Sequence, residues 1–297
     1  MAFGTISLDA WRGMALPMRW NALDIATWHE GDGPSVLLIH GFPTASWDWT
    51  SIWKPLSEKY TLYAADMVGF GFSAKPLNYD YYIHQQADLQ ADFLRRHGVK
   101  NVHLLAHDYG VTVAQELLAR QVEGSLHDIT IKSVCFLNGG LLPNAHRPRP
   151  IQTLMAGPFG GIVAALMSQG SFQRSFSAVF GPDTQPTDLE IEGFWALINH
   201  NKGRRVLRPL LSYMAQRREN EERWVGALKR TEVPMRLVNG SLDPVSGRHL
   251  AMAYRQLVPG ADVVDLAKVG HYPQVEAPAA TMDAFGGFVN AVQKFLD

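Results

Sequence analysis

What most constrains this chain is a repeated pairing: a short, unbroken apolar run, a turn, then a stretch with helical periodicity. Ser35-Val-Leu-Leu-Ile-His40 ends at Gly41, and Tyr60-Thr-Leu-Tyr-Ala-Ala-Asp66 ends at the glycine-bearing turn Gly69-Phe-Gly-Phe-Ser73. Asn101-Val-His-Leu-Leu-Ala-His107 is a third run, and Val111 to Gln121 after it repeats Val113/Leu117 and Ala114/Leu118 at i, i+4. Ile129 to Leu137, Met235 to Asn239 and Asp262 to Leu266 add three strands, with helical segments at Arg248–Leu257 and Thr281–Leu296. Strands lacking a polar alternate must be covered on both faces. The pattern therefore predicts an α/β fold with a mostly parallel sheet flanked by helices.

Between Asn144 and Arg230 the strand signals stop. The segment opens with His146-Arg-Pro-Arg-Pro150 and continues as aromatic-studded helical stretches. It predicts an inserted helical cap over 144–230, between core segments 1–143 and 231–297. Lys and Arg outnumber Asp and Glu in this segment, which reads as solvated helix surface rather than as an anion site.

Composition closes off several functions. At 297 residues and 46% hydrophobic the chain can bury a substantial core, and 27 Lys+Arg against 28 Asp+Glu give no global field for nucleic acid. Cys135 is the only cysteine, which excludes an intrachain disulfide and any Cys-rich metal site and suits a reducing compartment. Met1 to Gly13 lacks the pattern of an export leader, and no window approaches the ~18 apolar residues of a membrane span. The expectation is a soluble, cytoplasmic protein acting on a small molecule and water, with no nucleic-acid or membrane partner. Oligomeric state stays open.

The chemistry concentrates in Leu104-Leu-Ala-His-Asp-Tyr-Gly-Val-Thr112. Asp108 sits at a strand-to-helix turn whose positions two before and two after, Ala106 and Gly110, are small, as a tightly folded nucleophile elbow requires. A plainer role for Asp108 is to cap the helix that follows. Three further features favour the elbow. His40-Gly-Phe-Pro43 follows the first buried strand and can aim the Phe42 N–H at the elbow, forming an oxyanion hole with the N–H of Tyr109. Gly240-Ser-Leu-Asp-Pro-Val245 and Val269-Gly-His-Tyr-Pro273 then follow successive strands, so Asp243 and His271 complete the order nucleophile, acid, histidine.

Those four motifs, His40-Gly-Phe-Pro43, His107-Asp-Tyr-Gly110, Leu242-Asp-Pro-Val245 and Gly270-His-Tyr-Pro273, resemble those of the α/β-hydrolases that include epoxide hydrolases and haloalkane dehalogenases. Leu137-Asn-Gly-Gly140, His146-Arg-Pro148, Phe180-Gly-Pro182 and Arg223-Trp-Val-Gly-Ala-Leu228 are similar to one epoxide-hydrolase-like branch of that group. The resemblance implies an α/β-hydrolase fold with a cap, and an enzyme whose Asp108 attacks saturated carbon to form an alkyl ester. His271, oriented by Asp243, would then direct water onto that ester.

In the resembling epoxide hydrolases two cap tyrosines bind the epoxide oxygen. Tyr213 in Leu210-Leu-Ser-Tyr-Met214 looks like one of them; the second has no counterpart, and Gly170-Ser-Phe-Gln-Arg-Ser-Phe176 offers only Phe172 and Phe176. His107, Trp195, His200, Phe172 and Phe176 are the expected pocket residues. Dehalogenation is the alternative, although Tyr109 and Phe42 stand where the resembling dehalogenases place Trp and often Asn. A non-catalytic scaffold is the third reading.

No cofactor or metal is expected. Gly69-Phe-Gly-Phe-Ser-Ala74 lacks the third glycine of a dinucleotide fingerprint. On a strand, His103 and His107 stand ~13 Å apart, at about 3.3 Å per residue, too far to share an ion. His40 is expected to pin its loop, and Asp66 with Gly69 and Gly71 to shape a turn beneath the pocket.

Overall fold

A computed structural model describes residues 6–296. The first five residues of the segment read as lacking a leader lie outside the described residues, as does the last residue of the expected core.

Eight strands form one sheet: β1 (Leu16–Trp20), β2 (Leu23–Glu30), β3 (Ser35–Ile39), β4 (Thr61–Ala65), β5 (Asn101–Ala106), β6 (Thr130–Phe136), β7 (Met235–Gly240) and β8 (Asp262–Leu266). Their spatial order is β1-β2-β4-β3-β5-β6-β7-β8. From β4 to β8 every neighbouring pair is parallel, while β1 and β2 form an antiparallel edge. Burial follows this arrangement. β3 and β5 are buried along almost their whole length, whereas edge strand β1 alternates and β8 stays half exposed.

The sequence patterns locate six of these strands but not the β1–β2 hairpin. Its two-residue turn is Asn21-Ala22, both at positive φ (45° and 62°), so an alanine stands where a glycine would have announced the turn. The helix Ile83–Arg96 between β4 and β5 is a second addition.

Topology decides where a site can form. From β3 the chain passes outward to β4, then returns to the other side of β3 as β5. At this reversal the connections leave the strand ends in opposite directions and open a crevice at the carboxyl ends, where open α/β sheets bind ligands. The residues following β3 and β5 are the His40-Gly-Phe loop and Asp108.

From Pro150 to Arg230, between β6 and β7, the chain is helical wherever it is regular. The helix Asp188–Asn199 opens with a reciprocal capping box between Thr187 and Glu190. The last helix of this insertion, Glu221–Arg230, returns to pack on the helix Tyr109–Val122. There the buried Glu116 carboxylate accepts hydrogen bonds from Arg120, Arg223 and the Trp224 indole.

Candidate active site

The turn after β5 is forced into an uncommon conformation. Asp108 has φ 46° and ψ −106°, a backbone region that costs a non-glycine residue about 1–3 kcal/mol and persists only where its surroundings hold it. They do so by contact. A Cβ on Gly110 would stand 2.2 Å from the Ile39 carbonyl oxygen, and one on Gly41 would stand 2.8 Å from His107 Nδ1 and 2.9 Å from the Asp108 Cβ. The Asp108 N–H donates to the Asn138 carbonyl at 2.8 Å, tying the turn to the end of β6.

Asp108 immediately precedes the helix Tyr109–Val122, yet its side chain makes no capping bond. One carboxylate oxygen instead accepts the Phe42 N–H at 3.0 Å, and the other lies 3.7 Å from His271 Nε2. Asp108 is 2% and His271 5% exposed, so this contact is shielded from bulk water.

His271 is fixed from its far side. Its Nδ1–H donates to Asp243 Oδ2 at 2.7 Å. Asp243 is saturated: it also accepts from the N–H groups of Val245 and Ser246, the Ser246 hydroxyl at 2.6 Å and the Asn138 amide at 2.9 Å. Burial alone would raise the Asp243 pKa, but the imidazole and these donors hold it well below the usual carboxylate range. Burial likewise opposes charge on His271, and the Asp243 carboxylate outweighs it, lifting the imidazole to about 9. The loop is moored elsewhere too, since the His271 N–H donates to Val179 of the insertion at 2.8 Å.

Tyr213 is fully buried, with its ring 5.1 Å from Tyr109 and 6.2 Å from Phe42. Its hydroxyl makes no well-formed hydrogen bond, and burial followed by the nearby Asp108 charge raises the phenol's pKa. The cavity over this floor is lined by Phe42, His271 and Tyr272 from the core and by Met155, Phe172 and Phe176 among others from the insertion.

Three expected pocket residues lie elsewhere. His107 is beneath the pocket rather than on its wall: its Nε2–H donates to the His271 carbonyl at 2.8 Å, and burial depresses its pKa to about 3. Trp195 packs behind Phe172, between that ring and the Arg204 guanidinium. His200 stands edge-on to Phe72, and its carbonyl accepts from Lys75. Each is an aromatic residue of the right region turned to packing, which spacing could not reveal.

His40 pins its loop through both ring nitrogens, Nδ1–H donating to the Gly41 carbonyl and Nε2 accepting the Met67 N–H. Asp66 receives the N–H groups of Ser46 and Phe72. Gly71, at φ 48°, leaves room for its carboxylate, which a Cβ there would approach to 2.0 Å. Cys135 is sealed inside β6, where burial pushes its thiol up to about 12.

Three further buried groups hold the site, of which only Asn138 lies in a stretch the sequence singles out, Leu137-Asn-Gly-Gly140, and there without a role. Asn138 holds Asp243 and, through its Oδ1, the Gly240 N–H at 2.6 Å. Arg217, only 2% exposed, reaches from the insertion to donate to Thr112 Oγ1 at 2.6 Å and to the Asp108 carbonyl at 3.1 Å. Asp48 lies under His107, with one oxygen accepting from Thr44 and the other without a partner; burial raises its pKa well above the usual range.

Residues 34–278 match the alpha/beta hydrolase fold family. The mesoderm-specific transcript protein of Mus musculus is 41% identical over 268 residues, covering 88% of this chain and 80% of that protein. Among solved structures, haloalkane dehalogenase DbeA from Bradyrhizobium elkani USDA94 superposes with a TM-score of 0.78 at 20% identity, covering 94% of this chain and 98% of that one. Epoxide hydrolase CorEH superposes at 0.74 and 18% identity, covering 94% and 99%. At such identities the two structures speak for the fold. The chain belongs to the alpha/beta hydrolase fold family.

Proposed function

We propose that this hydrolase opens small apolar or aromatic epoxides to diols, with Asp108 as nucleophile. The observation that carries the reading is the carboxylate at the elbow, with one oxygen on the Phe42 N–H and the other facing His271 Nε2. A carboxylate is a poor nucleophile toward carbonyl carbon but displaces a leaving group from saturated carbon. Asp108 attacks one epoxide carbon, the ring C–O bond breaks, and the Tyr213 hydroxyl gives its proton to the departing oxygen. An alkyl ester of Asp108 results.

Hydrolysis of that ester needs His271 as a base, hence neutral. In the resting enzyme the Asp108 and Asp243 carboxylates both favour the imidazolium. Alkylation neutralises Asp108 and removes one of those charges, so the His271 pKa falls below about 9 when a base is required. His271 then takes a proton from water while the water oxygen adds to the Asp108 carbonyl carbon. The N–H groups of Phe42 and Tyr109 receive the oxyanion. As it collapses the ester C–O bond breaks, His271 returns its proton to the departing alkoxide, and the proton left on the Asp108 carboxyl passes to the Tyr213 phenolate, so the diol leaves with Asp108, His271 and Tyr213 restored.

The unengaged Tyr213 hydroxyl favours an oxygen leaving group over a halide. No tryptophan lines the cavity, and the Trp47 indole N–H donates to the Ile6 carbonyl. The test is intact-protein and peptide mass spectrometry of His271→Ala incubated with styrene oxide and aliphatic epoxides. A stable adduct of the epoxide's own mass on the Asp108 peptide is expected. No adduct across the panel would count for a scaffold, and halide release from haloalkanes or haloacids without diol formation would overturn the epoxide assignment.

A further inference from the structure

The outer surface of the insertion carries an apolar face that the fold does not cover. From Pro150 to Gln173 no Asp, Glu, Lys or Arg occurs. The short helices Pro150–Ala156 and Gly160–Leu166 within this stretch turn Leu154, Phe159, Ile162 and Leu166 outward, at 56%, 70%, 60% and 79% exposed. Scattered exposed apolar side chains are ordinary, but these four fall within one short uncharged stretch, and Leu154 and Phe159 line the same surface hollow. The same helix also places Ile151 and Met155 on the cavity wall.

The frame around the patch is cationic. The helix pair packs on residues 200–210, His200-Asn-Lys-Gly-Arg-Arg-Val-Leu-Arg-Pro-Leu210, a stretch with four basic residues and no acid. Arg208 donates to the Gly157 carbonyl at the end of the first helix, and Arg204 to the Ala165 and Met167 carbonyls at the end of the second. Lys202 and Arg205 are exposed beside Gly161 and Ala165. None of these four cations forms an ion pair among the described residues.

We infer that the helix pair 150–166, framed by Lys202, Arg204, Arg205 and Arg208, is a docking face for an anionic lipid bilayer. Apolar side chains enter the headgroup–acyl boundary while Lys and Arg meet lipid phosphate, the arrangement by which interfacial helices bind membranes without crossing them. No helix among the described residues is long and apolar enough to span. The basic excess that reads from sequence as solvated surface, with no membrane partner, acquires a direction once it is seen gathered around the patch. A second copy of the chain is the poorer occupant, because a two-fold contact sets each cationic frame against its own image. The inference does not depend on the reaction at Asp108.

The test is co-sedimentation of the full chain with phosphatidylcholine vesicles, with and without phosphatidylglycerol. Binding is expected to the anionic vesicles, to weaken with added salt, and to be slight on phosphatidylcholine alone. Phe159→Ser with Ile162→Ser is expected to weaken it on the order of 10- to 100-fold, and Lys202→Glu with Arg205→Glu at least about 20-fold. These four side chains are solvent-exposed, so both variants should keep the parent's thermal midpoint, which checks folding. Absence of binding to either vesicle, or binding that neither variant alters, would overturn the inference. So would a concentration-dependent dimer in analytical ultracentrifugation that Phe159→Ser with Ile162→Ser abolishes, which would make a second copy the occupant.

Discussion

The floor and the roof of the cavity are built on opposite principles. On the floor, Asp243 is held by five hydrogen-bond donors and His271 by partners on both sides, at the ends of strands whose positions the sheet fixes. The roof presents rings and methyl groups, with Phe172 stacked on Phe176 and Phe176 against Phe194 and Tyr272. Directional bonds fix geometry to tenths of an ångström, whereas apolar packing fixes volume and tolerates exchange. Under the proposed reaction, floor and roof carry chemistry and selectivity respectively and should respond separately to mutation.

The largest effect that would break this division is expected at Asp243. Asp243→Asn keeps the shape but removes the charge that raises His271 and selects its Nδ1–H tautomer. Turnover should fall by ~10³–10⁴-fold, with the alkyl-enzyme accumulating in mass spectra because only its hydrolysis needs the base. Equal loss of both half-reactions would mean that Asp243 supports the elbow rather than the histidine. Tyr213→Phe tests the one residue of the insertion given a chemical role, packed on the floor against Tyr109 and Phe42. It should slow alkylation by ~10²-fold or more, the lower end of general-acid contributions, with little change in stability, since its hydroxyl makes no well-formed hydrogen bond and interacts only with the neighbouring Arg217 guanidinium. An unchanged rate in pre-steady-state mass measurements would leave the insertion without a chemical role.

This division also explains what could be read in advance. Asp108, Asp243 and His271 are visible because the backbone around them imposes spacing: small residues flanking a tight turn, strand ends in a fixed order, a glycine at 110 where a Cβ would meet the Ile39 carbonyl. Trp195 and His200 read as pocket residues because they are insertion side chains able to donate a hydrogen bond, but a ring's identity does not tell which way it faces on an irregular helical segment. Asn138 and Arg217 act across 105 residues each, on Asp243 and Thr112, through contacts with no local pattern. The β1–β2 hairpin escaped for a local reason, an alanine occupying a left-handed position.

A smaller pair of changes sharpens the same contrast through stability. Asn138→Ala leaves the Gly240 N–H without its acceptor and withdraws one donor from Asp243, all in a buried site, and should cost about 2–3 kcal/mol in urea unfolding. Phe172→Leu on the roof keeps an apolar side chain and should cost about 1 kcal/mol while shifting KM between short and bulky epoxides. If the roof change proved as costly as the floor change, the roof would be a rigid template rather than an adjustable lining.

Asp48 is the floor's exception, and it yields the smallest but most diagnostic prediction. One of its oxygens is unpartnered, and its carboxyl is fully buried with a pKa raised by desolvation, above all, and by the Asp66 and Asp108 charges. The folded state therefore keeps the proton that the unfolded chain releases near pH 4. Above that pH the native state binds more protons, so the Asp48 contribution to stability falls as pH rises towards its folded pKa. Asp48→Asn mimics the protonated form and still accepts from the Thr44 hydroxyl. It should flatten unfolding free energy against pH above about 4, by up to about 1.4 kcal/mol per pH unit, and stabilise the protein near neutrality. An unaltered slope would mean that Asp48 is ionised in place, paired with a charge on His107, 3.9 Å away.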